Sequence, residues 1–189
     1  MESRATGKRW TYAEFARLPS EGSTRYEVID DDLVVTPAPG RRHQRISMKL
    51  AASLHIFVRD HDLGEVYHAP FDVLFAEGDY MEPDLVFVRK ARLDVLSDRG
   101  VEGPPDLIVE ITSPSTAHRD RGVKLQRYRL FGVGEYWVVD PEARTVEVWD
   151  LASGVTRPVT IGPGGRLAWS PAGAEATLEI DLEDLFGRS

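Results

Sequence analysis

Residues 106–112, DLIVEIT, are an almost continuous apolar run rich in β-branched side chains, with one carboxylate, Glu110, inside it. A strand that is apolar on both faces must be covered on both faces. The run therefore predicts a strand in the middle of an α/β sheet, bounded by turn residues at Pro104-Pro105 and Ser113-Pro114. Glu110 is the anomaly. A lone carboxylate in such a strand is costly unless it is paired, hydrogen-bonded or bound to a cation.

The flanking segments predict what covers this strand. Apolar residues at Ile46, Leu50, Leu54, Phe57 and Val58 have helical spacing, so a helix is expected from His43 to about Val58. Turn and N-cap chemistry at Ser113-Pro114-Ser115-Thr116 predicts a second helix that runs to about Phe131 and stops at Gly132 and Gly134. Thr11-Tyr12-Ala13-Glu14 fits a capping box that opens a short helix. Strands are expected at RYEVID and LVVTP around an acidic turn, at EVYHAPF, DVLF and DLVFV, and at EYWVVD and TVEVWDL as a hairpin. Residues 90–105 read as one helical turn followed by a loop. The order of mixed strands and two long helices gives an α/β (α+β) fold with a central mixed β-sheet flanked by helices. All 189 residues are assigned to one domain, with a core at about 10–150 and additional C-terminal β strands in a Gly/Pro-rich extension, 151–189.

A second carboxylate, Asp84, follows Pro83 and opens DLVFV. Alone it reads as a strand-end cap or turn residue. With Glu110 it could converge on one cation. The chain has no cysteine, so any metal falls to carboxylates and imidazoles, and oxygen ligands suit Mg2+ or Mn2+. The five histidines lack ligand spacing such as H-x3-H and read as structural. The N-terminus lacks a secretory apolar stretch and no apolar run approaches the roughly 20 residues of a membrane helix, so a soluble, cytoplasmic protein with no membrane association is expected.

Pro83-Asp84 followed by Glu110-Ile111-Thr112 resembles the PD-(D/E)XK nuclease pattern. The strings RYEVIDDDLVV, HAPFDVLF, EPDLVFV, GPPDLIVEITSPSTAHRDRGVKLQRY and GVGEYWVVDPEARTVEV together resemble the Uma-type (Uma-two) family of restriction endonucleases within that superfamily. The resemblance spans roughly residues 10–150. It implies a restriction-endonuclease-like core with Asp84 and Glu110 on adjacent central strands as metal ligands, joined by the carbonyl of Ile111. The lysine usual two residues after the glutamate is here Thr112, and Lys124, from the following helix, stands at the matching place. Glu27, in RYEVID, matches an additional acidic position, and His43 is brought near the site.

The implied activity is hydrolysis of phosphodiester bonds in nucleic acid, DNA before RNA, with Mg2+ or Mn2+ as cofactor and with Asp84, Glu110, Lys124 and Glu27 as catalytic residues. The residues alone leave alternatives. Lys124 could be a surface i,i+4 partner of Asp120. Glu27 could bind a second metal, hold a water, or pair with Arg25 or Lys49. The basic segment 118–129 and the start of the earlier helix offer Arg119, Arg121, Arg127 and Arg42 for phosphate contacts, or only a solvated face. A net charge of −8 argues against a general nucleic-acid coat protein but not against a local basic patch. A homodimer is expected, since cutting a duplex commonly takes two sites, with the aromatic segment 135–150 as its interface. Two other functions remain open: a non-catalytic interaction protein with this fold, and a metal-dependent hydrolase of a small phosphorylated substrate.

Overall fold

The structure, a computed structural model, describes residues 9–19 and 24–187. Thr11 opens α1 (Tyr12–Phe15) through the expected capping box: the Glu14 N–H donates to Thr11 Oγ1, and the Thr11 N–H donates to Glu14 Oε2. β1 (Arg25–Ile29) and β2 (Asp32–Thr36) form a hairpin, and Asp30 and Asp31 between them adopt positive φ, as a two-residue turn of matching twist requires. α2 (Arg41–Asp60) follows, two residues longer at each end than the helix predicted from His43 to Val58. Then come β3 (Gly64–His68), β4 (Val73–Ala76), β5 (Asp79–Met81) and β6 (Leu85–Arg89). A 3-10 segment, Lys90–Val95, is the expected helical turn. The segment after it is not a plain loop, because it contains two short strands, β7 (Leu96–Ser97) and β8 (Gly100–Glu102). Like β5, these are two or three residues long, too short to show alternation.

DLIVEIT supplies β9 (Leu107–Ile111), buried at every position. The next helix is built from α3 (Ala117–Arg119), a π turn (Asp120–Lys124) and α4 (Leu125–Phe131), and Gly132 caps it in the left-handed region. β10 (Glu135–Asp140) and β11 (Thr145–Asp150) form the predicted hairpin. The chain ends in β12 (Val159–Ile161), β13 (Arg166–Trp169), β14 (Leu178–Asp181) and α5 (Leu182–Phe186).

One mixed sheet has the order β12-β11-β10-β9-β6-β3, and its single parallel pair, β9 with β10, is connected through the helix at 117–131. A second six-stranded sheet, β2-β1-β5-β4-β8-β7, makes the fold richer in strand than one central sheet. Alternation along β9 divides its side chains between two cores. Leu107, Val109 and Ile111 face α2, packing with Ile46, Leu50 and Leu54. Ile108 faces the other way, with Leu125 and Tyr128 of α4 and with Ile29 and Met81 of the second sheet. Glu110 shares the Ile108 side, so its carboxylate points into the space between the sheets and the helix.

The C-terminal strands are not an appendage. Leu167, Trp169, Ile180, Leu182, Leu185 and Phe186 lie in the same core as α2. Tyr136 and Trp137 are fully buried within the protein, and β10 and β11 are paired on both edges, so within residues 135–150 only the half-buried and exposed positions, mostly of β11 and its turn, are open to a partner. Among the described residues, no helix is long and apolar enough to cross a membrane.

Candidate active site

The antiparallel register of β6 and β9 pairs Leu85 with Val109 and Val86 with Ile108. One step further along that ladder, Asp84 falls opposite Glu110, on the same face. This is why two carboxylates 26 positions apart in sequence converge. Both are buried, as are Glu27, Asp120 and Lys124, all between 2% and 4% exposed.

Asp84 is held from three directions. Arg25 Nη1 donates to Oδ1 at 3.0 Å, the Ile111 N–H donates to Oδ2 at 2.7 Å, and His43 Nε2 lies 3.0 Å from Oδ2. Burial pushes the carboxyl pKa up, but the His43 hydrogen bond, the charges of His43 and Arg25, and the Ile111 amide outweigh it and hold the group below its usual range. Asp84 is thus ionised and accepts only, so His43 Nε2 carries the hydrogen. The other ring nitrogen, Nδ1, is buried and has no hydrogen-bond partner among the described residues.

Lys124 Nζ sits between Glu27 Oε1 at 2.7 Å and Glu110 Oε1 at 2.9 Å. Burial works against its charge, but Glu110, Glu27 and Asp120 prevail and hold the ammonium well above the ordinary lysine range. Glu110 also accepts from Tyr128 OH at 2.7 Å, and Glu27 accepts from the Glu82 N–H at 3.1 Å. Burial raises the Glu110 pKa to about 8 despite Lys124, and Asp120, Asp84 and Glu27 add to the rise.

These groups line a cavity of about 190 Å3 that also takes in Thr36, residues 37–40, Ser113, Ser115, Thr116 and Arg119. The donor set fits a hard divalent cation. Asp84 keeps one of its roughly four acceptor positions free, and Glu110 and the Ile111 carbonyl add oxygen ligands. Among the described residues no three His, Asp or Glu side chains are placed to enclose an ion. Asp84, Glu110 and the Ile111 carbonyl are the groups that could hold such an ion, with water in the remaining positions.

The predicted residues thus separate. Asp84, Glu110, Ile111, Lys124 and Glu27 are brought together, with Arg119 on the cavity wall. Arg121 is paired to Glu147 at 2.7 Å and Asp140 at 3.0 Å. Arg127 is paired to Asp79 and to Asp30 at 3.0 Å, and neither arginine lines the cavity. Arg42 is exposed and, with Arg41 and Arg45, surrounds a neighbouring hollow of about 340 Å3. Glu27 pairs with Lys124 rather than with Arg25 or Lys49. Arg25 turns to Asp84 and Glu82, and Lys49 to the Asp184 carbonyl.

Sequence reasoning does not single out Asp120 or Arg25, and it brings His43 near the site only through the resemblance. Asp120 and Lys124 are indeed four apart, but on the buried face of the helix. The stripe 120, 124, 128 carries that signal, and His43 extends the apolar stripe of α2 by one turn.

An uncharacterized protein of Synechocystis sp. is 24% identical over 145 residues, covering 76% of this chain and 81% of that protein. The crystal structure of "a putative nuclease belonging to DUF820" from Anabaena variabilis shares the fold. Its TM-score is 0.76 at 20% identity, over 93% of this chain and 97% of the other. The family model Uma2, described as "Putative restriction endonuclease", matches residues 12–183, and the chain belongs to that family.

Proposed function

We propose that the protein is a cytoplasmic, divalent-metal-dependent endonuclease that hydrolyses phosphodiester bonds in nucleic acid, DNA in the first instance. The observation that carries this proposal is the buried Lys124 ammonium, fixed between Glu27 and Glu110 beside the ionised Asp84, at the base of an open cavity. A bound Mg2+ or Mn2+ would supply charge neutralisation at the scissile phosphate and an activated water. Asp84, Glu110 and the Ile111 carbonyl would hold it.

Lys124 has three N–H donors, and Glu27 and Glu110 take two. The third is left for a phosphate oxygen, where an already fixed charge stabilises the transition state without reorganising. The charges of Glu110 and Glu27 hold Lys124 as an ammonium, which suits it to stabilising negative charge. Glu27 fixes the ammonium, and Arg25 and His43 fix Asp84. Arg119 and Arg42 are placed to meet phosphates, whereas Arg121 and Arg127 would first have to leave their carboxylates. A homodimer belongs to the same proposal.

The test is cleavage of plasmid and single-stranded DNA with Mg2+ or Mn2+, comparing wild type with Asp84→Ala, Glu110→Gln and Lys124→Ala. Circular dichroism must accompany it, because removing the ammonium strands two buried acids at about 3–5 kcal/mol. Metal-dependent cleavage by wild type that disappears in folded variants is the expected result. A folded wild type that neither cuts DNA nor binds Mn2+ calorimetrically would favour the interaction-protein alternative.

A further inference from the structure

The cavity has two walls, and they are tied together. One is residues 36–40, where Pro37 and Pro39 restrict the backbone. The other is residues 113–116, closed on itself as Thr116 Oγ1 accepts from the Ser113 N–H at 2.9 Å and from Ser113 Oγ at 3.2 Å. Arg119 joins them, its Nη1 donating to Thr36 Oγ1 at 3.1 Å. Beneath this braced rim lie Asp84, Glu110 and Lys124, almost completely buried.

A duplex presents its phosphates on a broad convex rod, with grooves about 12 and 6 Å wide between the backbones. Asp84, Glu110 and Lys124 are each no more than 4% exposed, so a rod laid across the rim would leave its phosphates above them. A phosphate reaches Lys124 only if its nucleotide leaves the helix. Opening one base-pair step costs about tenfold in equilibrium, and an already unpaired strand does not incur it.

The lining fits a backbone better than a base. Among its described residues none is Phe, Tyr or Trp, so it has no broad aromatic platform for bases, and hydroxyls and guanidinium groups stand beside the carboxylates. The way out of the cavity is basic. Gly40, the N-cap of α2, and His43 of its first turn line the cavity, and Arg41 and Arg42 of that turn are exposed beside it.

We propose that the substrate enters as unpaired DNA, a single strand or the single-stranded tail of a duplex, with its backbone in the cavity and flanking phosphates against Arg41 and Arg42. A continuous duplex is then a poor substrate. This rests on the phosphodiesterase function proposed above.

The test uses one fluorescently labelled oligonucleotide in three forms: alone, in a blunt duplex, and in a duplex with a single-stranded tail. The full chain is assayed on each, for cleavage with Mn2+ and for binding by anisotropy in EDTA. The single strand is expected to be cut and bound at least about tenfold better than the blunt duplex, with cuts in the tailed form confined to the tail and its junction. Equal cutting of the blunt duplex and the single strand would overturn the inference and leave the nuclease function standing. Preferential binding of the single strand without any cutting would support the inference and remove the hydrolysis. Neither cutting nor preference would remove both.

Discussion

At the scale of the residue, the site is a problem of charge held out of water. His43 Nε2 lies 3.0 Å from Asp84 Oδ2 and fixes that oxygen. Partners of this kind typically cost 10–100-fold in metal affinity when removed. His43→Ala is therefore expected to weaken Mn2+ binding by about that factor in calorimetry while the thermal midpoint moves little. Unchanged Mn2+ affinity would show that the contact does not position Asp84. Asp72 offers a test of burial away from the proposed ligands. Burial first, and the charge of Glu27 second, push its carboxyl from 3.8 to about 6. A raised carboxyl pKa means that the folded state prefers the protonated acid. The resulting stability is complete below about pH 3.8 and is lost as pH rises through about 6. Asp72→Asn keeps the neutral form, so it should match wild type in thermal unfolding at low pH and become the more stable of the two above pH 6. A difference that does not vary with pH would contradict the assignment.

At the scale of the element, several close approaches leave no room for a side chain. Gly64 opens β3 at a φ of 146°, and a Cβ there would lie 2.1 Å from the Val88 carbonyl oxygen of β6. Backbone cannot yield as a flexible side chain does. Gly64→Ala should cost about 2 kcal/mol or more in urea unfolding, and a loss within error of zero would mean that the β3–β6 edge is softer than its geometry. Gly122 is the contrast. It lies in the π turn with nothing within 4 Å of a built Cβ and without positive φ, so Gly122→Ala should be tolerated or stabilise by about 0.5–1 kcal/mol.

At the scale of the whole molecule, the C-terminal segment 151–189 decides whether α2 is covered. Leu167, Trp169, Ile180, Leu182, Leu185 and Phe186 are each buried against the α2 core. At about 1.5–3 kcal/mol for each large apolar side chain, their loss rivals the ~5–15 kcal/mol that holds a domain together. A chain cut after residue 150 should lose cooperative thermal unfolding and bind a hydrophobic dye. A sharp transition in that fragment would make 151–189 the dispensable extension that its composition suggested. Native mass measurement at micromolar concentration is expected to show a dimer, and a monomer alone would remove that part of the proposal.

How much of this was legible follows from the range of each interaction. The capping box at Thr11, the β1–β2 hairpin, the apolar stripe of α2 and the both-faces-buried β9 are all written within a few turns or residues, and chain-local signals sufficed to place them. Glu110 stood out for the same reason, as a charge inside an apolar run. The company it keeps could not be read locally. Lys124 was assigned by resemblance, with a surface pair as the alternative that its spacing alone favoured. Its burial between Glu27 and Glu110 depends on a crossover helix packing back over β9. The arginines make the same point: Arg119 faces the cavity, but Arg121 and Arg127 of the same helix are spent on Glu147, Asp140 and Asp79, partners from other strands. By itself the sequence determined which segments were strand or helix and which carboxylates were anomalous, because periodicity and desolvation act along the chain. Only the tertiary structure decided which charges meet, because those pairings close loops of up to 97 residues, from Glu27 to Lys124, and exist only once the sheets and the helix are packed.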